Sequence, residues 1–153
     1  MSKAEAMQRL YTEYERAGHT GPFTTVELAQ WAITNRKWTP RPADLVKSCA
    51  RDFAAALRQE YIRDSEGRKV RAKHATRTRQ GVLWEDINTI TRKRMELSLH
   101  QRRSQIVHDC YQLKTDAEFY NRLHGEEPPI QLVLDFRDDV AELDLAHHED
   151  VAA

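Results

Sequence analysis

Seven lysines and arginines fall between Arg63 and Arg79 against two acids, a net of +5. Within this stretch Lys69, Arg71 and Lys73 alternate with Val70 and Ala72. In an extended strand that spacing puts three cations on one face and two apolar groups on the other. Cations aligned this way repel one another unless a polyanion lies against them, and the chemistry they suit is the neutralisation of phosphates. A solvated hairpin of the same composition is the alternative. A second set lies upstream. At about 100° per residue, Lys47, Arg51 and Arg58 fall within about 40° of one another on one side of a helix. Such a row is either an ordinary solvated face or a second phosphate-facing surface.

Covalent and metal chemistry find little to stand on. The sequence contains no phosphate-cradling glycine loop, no nucleophile elbow and no His-Glu-x-x-His pattern. Cys49 and Cys110 are 61 positions apart, with no Cys-x-x-Cys pair to hold zinc. His108 and Cys110, two apart on a helix, point in different directions. His147-His148-Glu149-Asp150 reads as part of an acidic tail rather than a metal site. The expectation is a non-enzymatic chain with no cofactor and no metal, one that works by binding other macromolecules.

The 153 residues carry 24 basic and 24 acidic side chains, but these are unevenly placed. Met1 to Lys114 holds 22 Lys+Arg against 13 Asp+Glu, or +9, and Thr115 to Ala153 holds 2 against 11, or −9. A basic body suits phosphate backbones, and an acidic tail either shields that body or carries its own docking peptide. No apolar run approaches the roughly 20 residues of a membrane span. Met1-Ser2-Lys3-Ala4-Glu5 has no signal-peptide core, and two lone cysteines make no disulfide framework. A cytoplasmic protein without a membrane partner is expected.

Several elements can be read as the frame for these cations. Ser2 with Glu5 is a capping box that opens a first helix, in which Met7, Leu10, Tyr11 and Tyr14 recur at helical spacing. Gly18 is its stop. Thr24 with Glu27 is a second box, with Phe23 and Leu28 placed as a hydrophobic staple. Arg41-Pro42 opens a third helix with Leu45, Val46, Cys49, Phe53, Ala56 and Leu57 on one side. Tyr61–Arg63, a turn at Asp64-Ser65-Glu66-Gly67 and the alternating Lys69–Lys73 form a hairpin candidate.

Helix, helix, helix and basic hairpin, over residues 4–79, resembles the winged helix-turn-helix family of DNA-binding domains. The resemblance rests on element order and caps rather than a signature motif. It implies that the helix from Pro42 to Glu60 lies in the major groove of double-stranded DNA and that the hairpin around Gly67 is the wing. The DNA-facing set is then Arg41, Lys47, Arg51, Arg58, Arg63, Arg68, Lys69, Arg71 and Lys73. At about 18 residues, the third helix is longer than most recognition helices. Winged helices also serve as protein-binding modules.

Gly81 to Ile87 reads as a connector whose Leu83, Trp84 and Ile87 pack onto the domain. Thr91 to His124 has no Gly or Pro and a helical pattern. Leu99, Ile106, Leu113 and Tyr120 recur every seven residues, broadened by Met95, Cys110 and Ala117 and interrupted by Arg103. A helix of some 30 residues spans about 45 Å, longer than a small domain is wide. It either packs back on its own domain or forms a homodimer through this stripe.

Pro128-Pro129 then forces an extended backbone, and Arg137 to Ala153 is acidic and partly helical in pattern. Gln131-Leu132-Val133-Leu134-Asp135-Phe136 resembles the peptide by which bacterial proteins dock on the replicative sliding clamp. That family's six-residue form is Gln-Leu-x-Leu-x-Leu, with Phe136 standing here where leucine is usual. The resemblance implies that Gln131 fixes the start while Leu132, Leu134 and Phe136 fill an apolar groove. The alternation of Ile130, Leu132, Leu134 and Phe136 also fits a half-buried strand.

The sequence reading is therefore a mainly α protein with three parts. Residues 1–80 form a winged-helix domain, 81–124 a connector and a dimerising helix, and 125–153 an extended segment and acidic tail. Its function is that of a DNA-binding regulator or an accessory factor of a replicon or mobile element, acting as a dimer. The alternative is a protein-interaction adaptor with the sliding clamp as a partner.

Overall fold

The computed structural model describes residues 1–153. Five helices and two small two-stranded sheets follow in the order α1 (Lys3–Arg16), α2 (Thr25–Thr34), α3 (Pro42–Arg58), β1 (Tyr61–Arg63), β2 (Lys69–Arg71), β3 (Lys73–Thr78), β4 (Gly81–Asp86), α4 (Arg92–Leu123) and α5 (Arg137–Ala152). The fold is thus mainly helical with hairpins. No helix is long and apolar enough to cross a membrane. Packing divides the chain into Met1–Asp52 and Phe53–Ala153, with the boundary inside α3.

In the first unit both capping boxes form. Ser2 and Thr24 accept from the backbone of Glu5 and Glu27, whose carboxylates accept from the cap backbones in return. These reciprocal bonds satisfy amides that the first turn leaves open. Gly18, at φ +99°, takes the left-handed conformation that ends α1. Tyr14 and Ala32 are the buried apolar residues of this unit. The Tyr14 ring stacks on His19 at 4.2 Å and meets Trp31 edge-on at 5.4 Å, which makes it the aromatic centre of the unit. Asp44 near the start of α3 binds Lys3 at 2.8 Å and Arg41 at 3.0 Å.

The apolar side of α3 departs from expectation. Periodicity places it against a core, yet Leu45, Val46 and Phe53 are 63%, 72% and 65% exposed. Spacing can align these groups but cannot supply the surface that covers them.

In the second unit, β1 and β2 form the expected hairpin, with Tyr61 opposite Arg71 and Arg63 opposite Lys69. Asp64 builds its turn by accepting the amides of Glu66 and Arg68, both at 2.9 Å, while Gly67 sits at φ +76°. Two readings of the following stretch need correction. The strand does not run straight through Lys73, because the backbone bends at buried Ala72. The Ala72 amide bonds back to Glu60 at 2.9 Å, while its carbonyl accepts from Ile87 at 2.8 Å. Lys73 therefore begins a second hairpin. Residues 81–87, expected as a connector, supply its other strand, with Lys73 opposite Asp86 and Thr78 opposite Gly81. The sequence signal was masked because Arg77, Arg79 and the two carboxylates of β4 obscure the strand alternation.

Thr76 on β3 is 1% exposed and its hydroxyl has no hydrogen-bond partner. A buried hydroxyl without a partner costs about 1–3 kcal/mol. The near-isosteric Thr76→Val should therefore raise stability, by about 1 kcal/mol after repacking. A higher urea midpoint at unchanged slope is the expected measurement, and a lower midpoint would show that the hydroxyl is satisfied in solution.

Thr91 caps α4, and its hydroxyl accepts the Arg94 amide. The helix ends at Leu123, as the absence of Gly and Pro predicts, and its 32 residues span about 48 Å. Beyond Pro128-Pro129 the chain runs extended, but it does not form the expected strand. Asn121 anchors it, its side-chain amide donating to the Ile130 carbonyl and accepting the Ile130 amide, both at 2.9 Å. Leu134 is half-buried, whereas Ile130 and Leu132 remain 52% and 46% exposed. The acidic end is helical through Ala152. It reaches the tip of the first hairpin, where Asp144 lies 3.8 Å from Arg68 and a His147 ring nitrogen 2.9 Å from the Glu66 carbonyl.

Candidate nucleic-acid interface

The second hairpin leaves the outer edge of β3 open, and α4 closes it with side chains. The Ser98 hydroxyl donates to the Ala75 carbonyl at 2.6 Å. Gln101, one turn on, accepts the Arg77 amide at 2.8 Å and donates to the Arg77 carbonyl at 3.0 Å. Residues three apart share a helix face, so one side of α4 completes two successive outward positions of the strand and protects an edge that could pair elsewhere. Arg94 adds an ion pair to Glu85 of β4 at 2.7 Å. These bonds fix the α4 register on β3 and bring Arg102 to the same groove as Arg77.

That groove has a volume of about 250 Å³ and is lined by Arg58, Arg71, Arg77 and Arg102, with Trp84 in its wall. The Arg58 guanidinium lies 5.3 Å from the Trp84 ring centre, a cation–π contact that orients the charge without neutralising it. None of the four arginines forms a salt bridge, the ion pairs being made by other residues. Burial and then the positive charge of Arg71 lower the Arg102 pKa below its ordinary value. Arginine stays protonated regardless, so the groove concentrates positive charge with no acid to answer it. Such a site attracts a phosphate, which a guanidinium binds in a bidentate fork.

The structure separates the nine cations singled out in the sequence. Arg58, Arg71 and Lys73 line the groove. Lys73 is already occupied: its ammonium lies 2.8 Å from the Asp86 carboxylate. Lys47 and Arg51 are exposed on α3. Arg41 is held by Asp44, and the Arg63 guanidinium donates to the Gly67 carbonyl in its own turn. Arg68 sits among Asp64, Glu66 and Asp144, and Lys69 lies over the Tyr61 ring at 5.6 Å. The hairpin is therefore not a single row of bare cations. Arg77, Arg102 and Trp84 were missed as site residues. Arg77 was legible as part of the basic stretch, whereas nothing in the spacing of α4 marks Arg102.

The Lys73–Asp86 pair gives the second hairpin an acid dependence. The Lys73 hydrogen bond, and after it the Asn88 amide, hold the Asp86 pKa at about 2. A carboxylate with a lowered folded pKa contributes its stabilisation fully above its unfolded pKa and loses it as pH falls through the folded one. Asp86→Asn should therefore destabilise the protein at neutral pH, and the gap from the parent should close as pH falls from about 4 to about 2. Thermal unfolding at a series of pH values measures this, and a constant gap would remove the linkage.

Of the remaining predicted residues, Gln131, Leu132 and Phe136 are exposed on the extended segment and Leu134 is half-buried. Leu99, Ile106, Leu113 and Tyr120 lie along α4, each about half exposed. Comparison with protein-family models, with curated proteins and with solved structures returned no match to this chain.

Proposed function

We propose that this chain is a non-enzymatic DNA-binding protein that grips the phosphate backbone of double-stranded DNA through the arginine groove between the second hairpin and α4. The carrying observation is that Arg58, Arg71, Arg77 and Arg102 line one groove with no carboxylate among them. Like charges are held together at a cost, and a polyanion turns that cost into affinity by releasing its own counterions. The order α1-α2-α3-β1-β2, which resembles that of a winged helix, supports the same reading, as do the exposed and unpaired Lys47 and Arg51 of α3. The role that fits is a regulator or an accessory factor of a replicon or mobile element.

The test is binding to random-sequence duplex DNA, followed by fluorescence anisotropy between about 50 and 200 mM salt. Four phosphate contacts give a slope of log affinity against log salt of about −3.6. A value nearer −0.7 per contact, with tighter binding to single strands, would redirect the proposal to single-stranded nucleic acid. No binding at the lowest salt would end it.

A second reading, as an adaptor for the sliding clamp, is favoured by one observation. Gln131–Phe136 is extended, belongs to no sheet and leaves Gln131, Leu132 and Phe136 exposed. A peptide so presented can lay alternate side chains into a partner's groove. Gln131→Ala keeps every apolar group, so it should abolish clamp binding at an unchanged melting temperature. Equal binding by parent and variant would remove this reading.

A further inference from the structure

The chain exposes 13080 Å². A compact monomer of its 17.9 kDa mass exposes about 8,000 Å². Even if its two units are counted as separate compact bodies, the total is about 9,500 Å². The excess of about 3,500 Å² is several times the roughly 800 Å² that each partner of a standard interface buries. The interior tells the same story, since Tyr14, Ala32 and Ala72 are the buried apolar residues of the whole chain.

The excess has an ordered component on α4. Leu99, Ile106, Leu113 and Tyr120 are 46%, 52%, 45% and 45% exposed. At seven-residue spacing they drift by about 20° per step and stay within about 60° of one another. They therefore share one side of a helix of about 48 Å, a row interrupted by Arg103. Aliphatic and aromatic groups in such a row are a helix-packing surface, and here they stay about half open to water.

We infer that a second copy of this chain covers the α4 seam, so that the protein is a two-fold homodimer through Leu99, Ile106, Leu113 and Tyr120. Three observations favour a second copy over an unrelated partner. The uncovered area is ample for a stable dimer. The row lies along one side of a 32-residue helix, which can meet its own copy in the same way from both sides, as a two-fold interface requires. The charge distribution is also self-complementary: the +9 of residues 1–114 and the −9 of residues 115–153 cancel within one copy and attract between two. The inference does not depend on DNA binding, and its test uses no DNA.

Sedimentation equilibrium of the full chain at micromolar concentration should give twice the 17.9 kDa chain mass. Ile106→Asp places a charge in the middle of the seam, at a position half open to water in the single copy, and should return the mass to 17.9 kDa with the helical circular dichroism retained. His108→Asp adds the same charge on the opposite face of α4 and should leave the dimer intact. If Ile106→Asp loses its helical signal, Leu113→Asp provides the same reading one heptad away. A parent protein that sediments as a 17.9 kDa monomer would overturn the inference and assign the seam to a different partner. So would a dimer that survives both seam variants.

Discussion

Replacing Arg71, Arg77 and Arg102 together with alanine should weaken binding to duplex DNA by roughly 100- to 1,000-fold near 0.1 M salt, since each phosphate contact contributes about 0.9 to the log–log salt slope. The slope itself should flatten by about 2.7. The three side chains line one groove and none is paired to an acid, so each removal subtracts a phosphate contact without stranding a carboxylate. The fold should survive, because what holds α4 on β3 is Ser98 and Gln101 bonding to backbone, which the substitutions leave in place. Lys69→Ala is the control. Its ammonium lies over Tyr61 and outside the groove, so its effect should be small. Anisotropy titrations at two salt concentrations read both quantities. An unchanged slope in the triple variant would move the DNA contact off this groove and back to α3.

The other large effect should come from Tyr14→Ala. Tyr14 is the buried aromatic of the first unit, in contact with His19, Phe23 and Trp31. Emptying such a site costs about 3–5 kcal/mol. That is a large share of the stability of any small domain, and larger still for a unit whose other buried apolar residue is Ala32. Trp31 fluorescence should show early unfolding of α1 and α2. DNA affinity should persist, because the arginine groove is built within Phe53–Ala153. A winged-helix grip through α3 predicts the opposite, because a recognition helix needs α1 and α2 to hold it. Affinity lost together with the Trp31 signal would favour that grip over the groove.

The local elements were legible because their causes are local. Ser2 with Glu5 and Thr24 with Glu27 mark helix starts through bonds spanning three residues, and both pairs form. Thr91 and His124 bound a Gly-free and Pro-free run, and α4 occupies the interval between them. The Asp64–Gly67 turn was readable because Asp64 needs only its own neighbours to accept the amides of Glu66 and Arg68. The polarity of charge along the chain was likewise a property of sequence alone.

What tertiary structure decided is which groups meet and which remain alone. The bend at Ala72 depends on bonds to Glu60 and Ile87, partners that lie on either side in the chain and that spacing cannot identify. It moved Lys73 out of the first hairpin and paired it with Asp86. Some charges in the expected DNA-facing set, such as Arg41 and Arg68, are answered by nearby acids. The charges left unanswered include Arg102, which Ser98 and Gln101 carry into place by docking α4 on β3. Counting cations measures the total charge, but affinity for a polyanion depends on the charge left after folding has paired the rest. Pairing is a matter of distances of a few ångströms between residues far apart in sequence, and those distances exist only once the chain has folded.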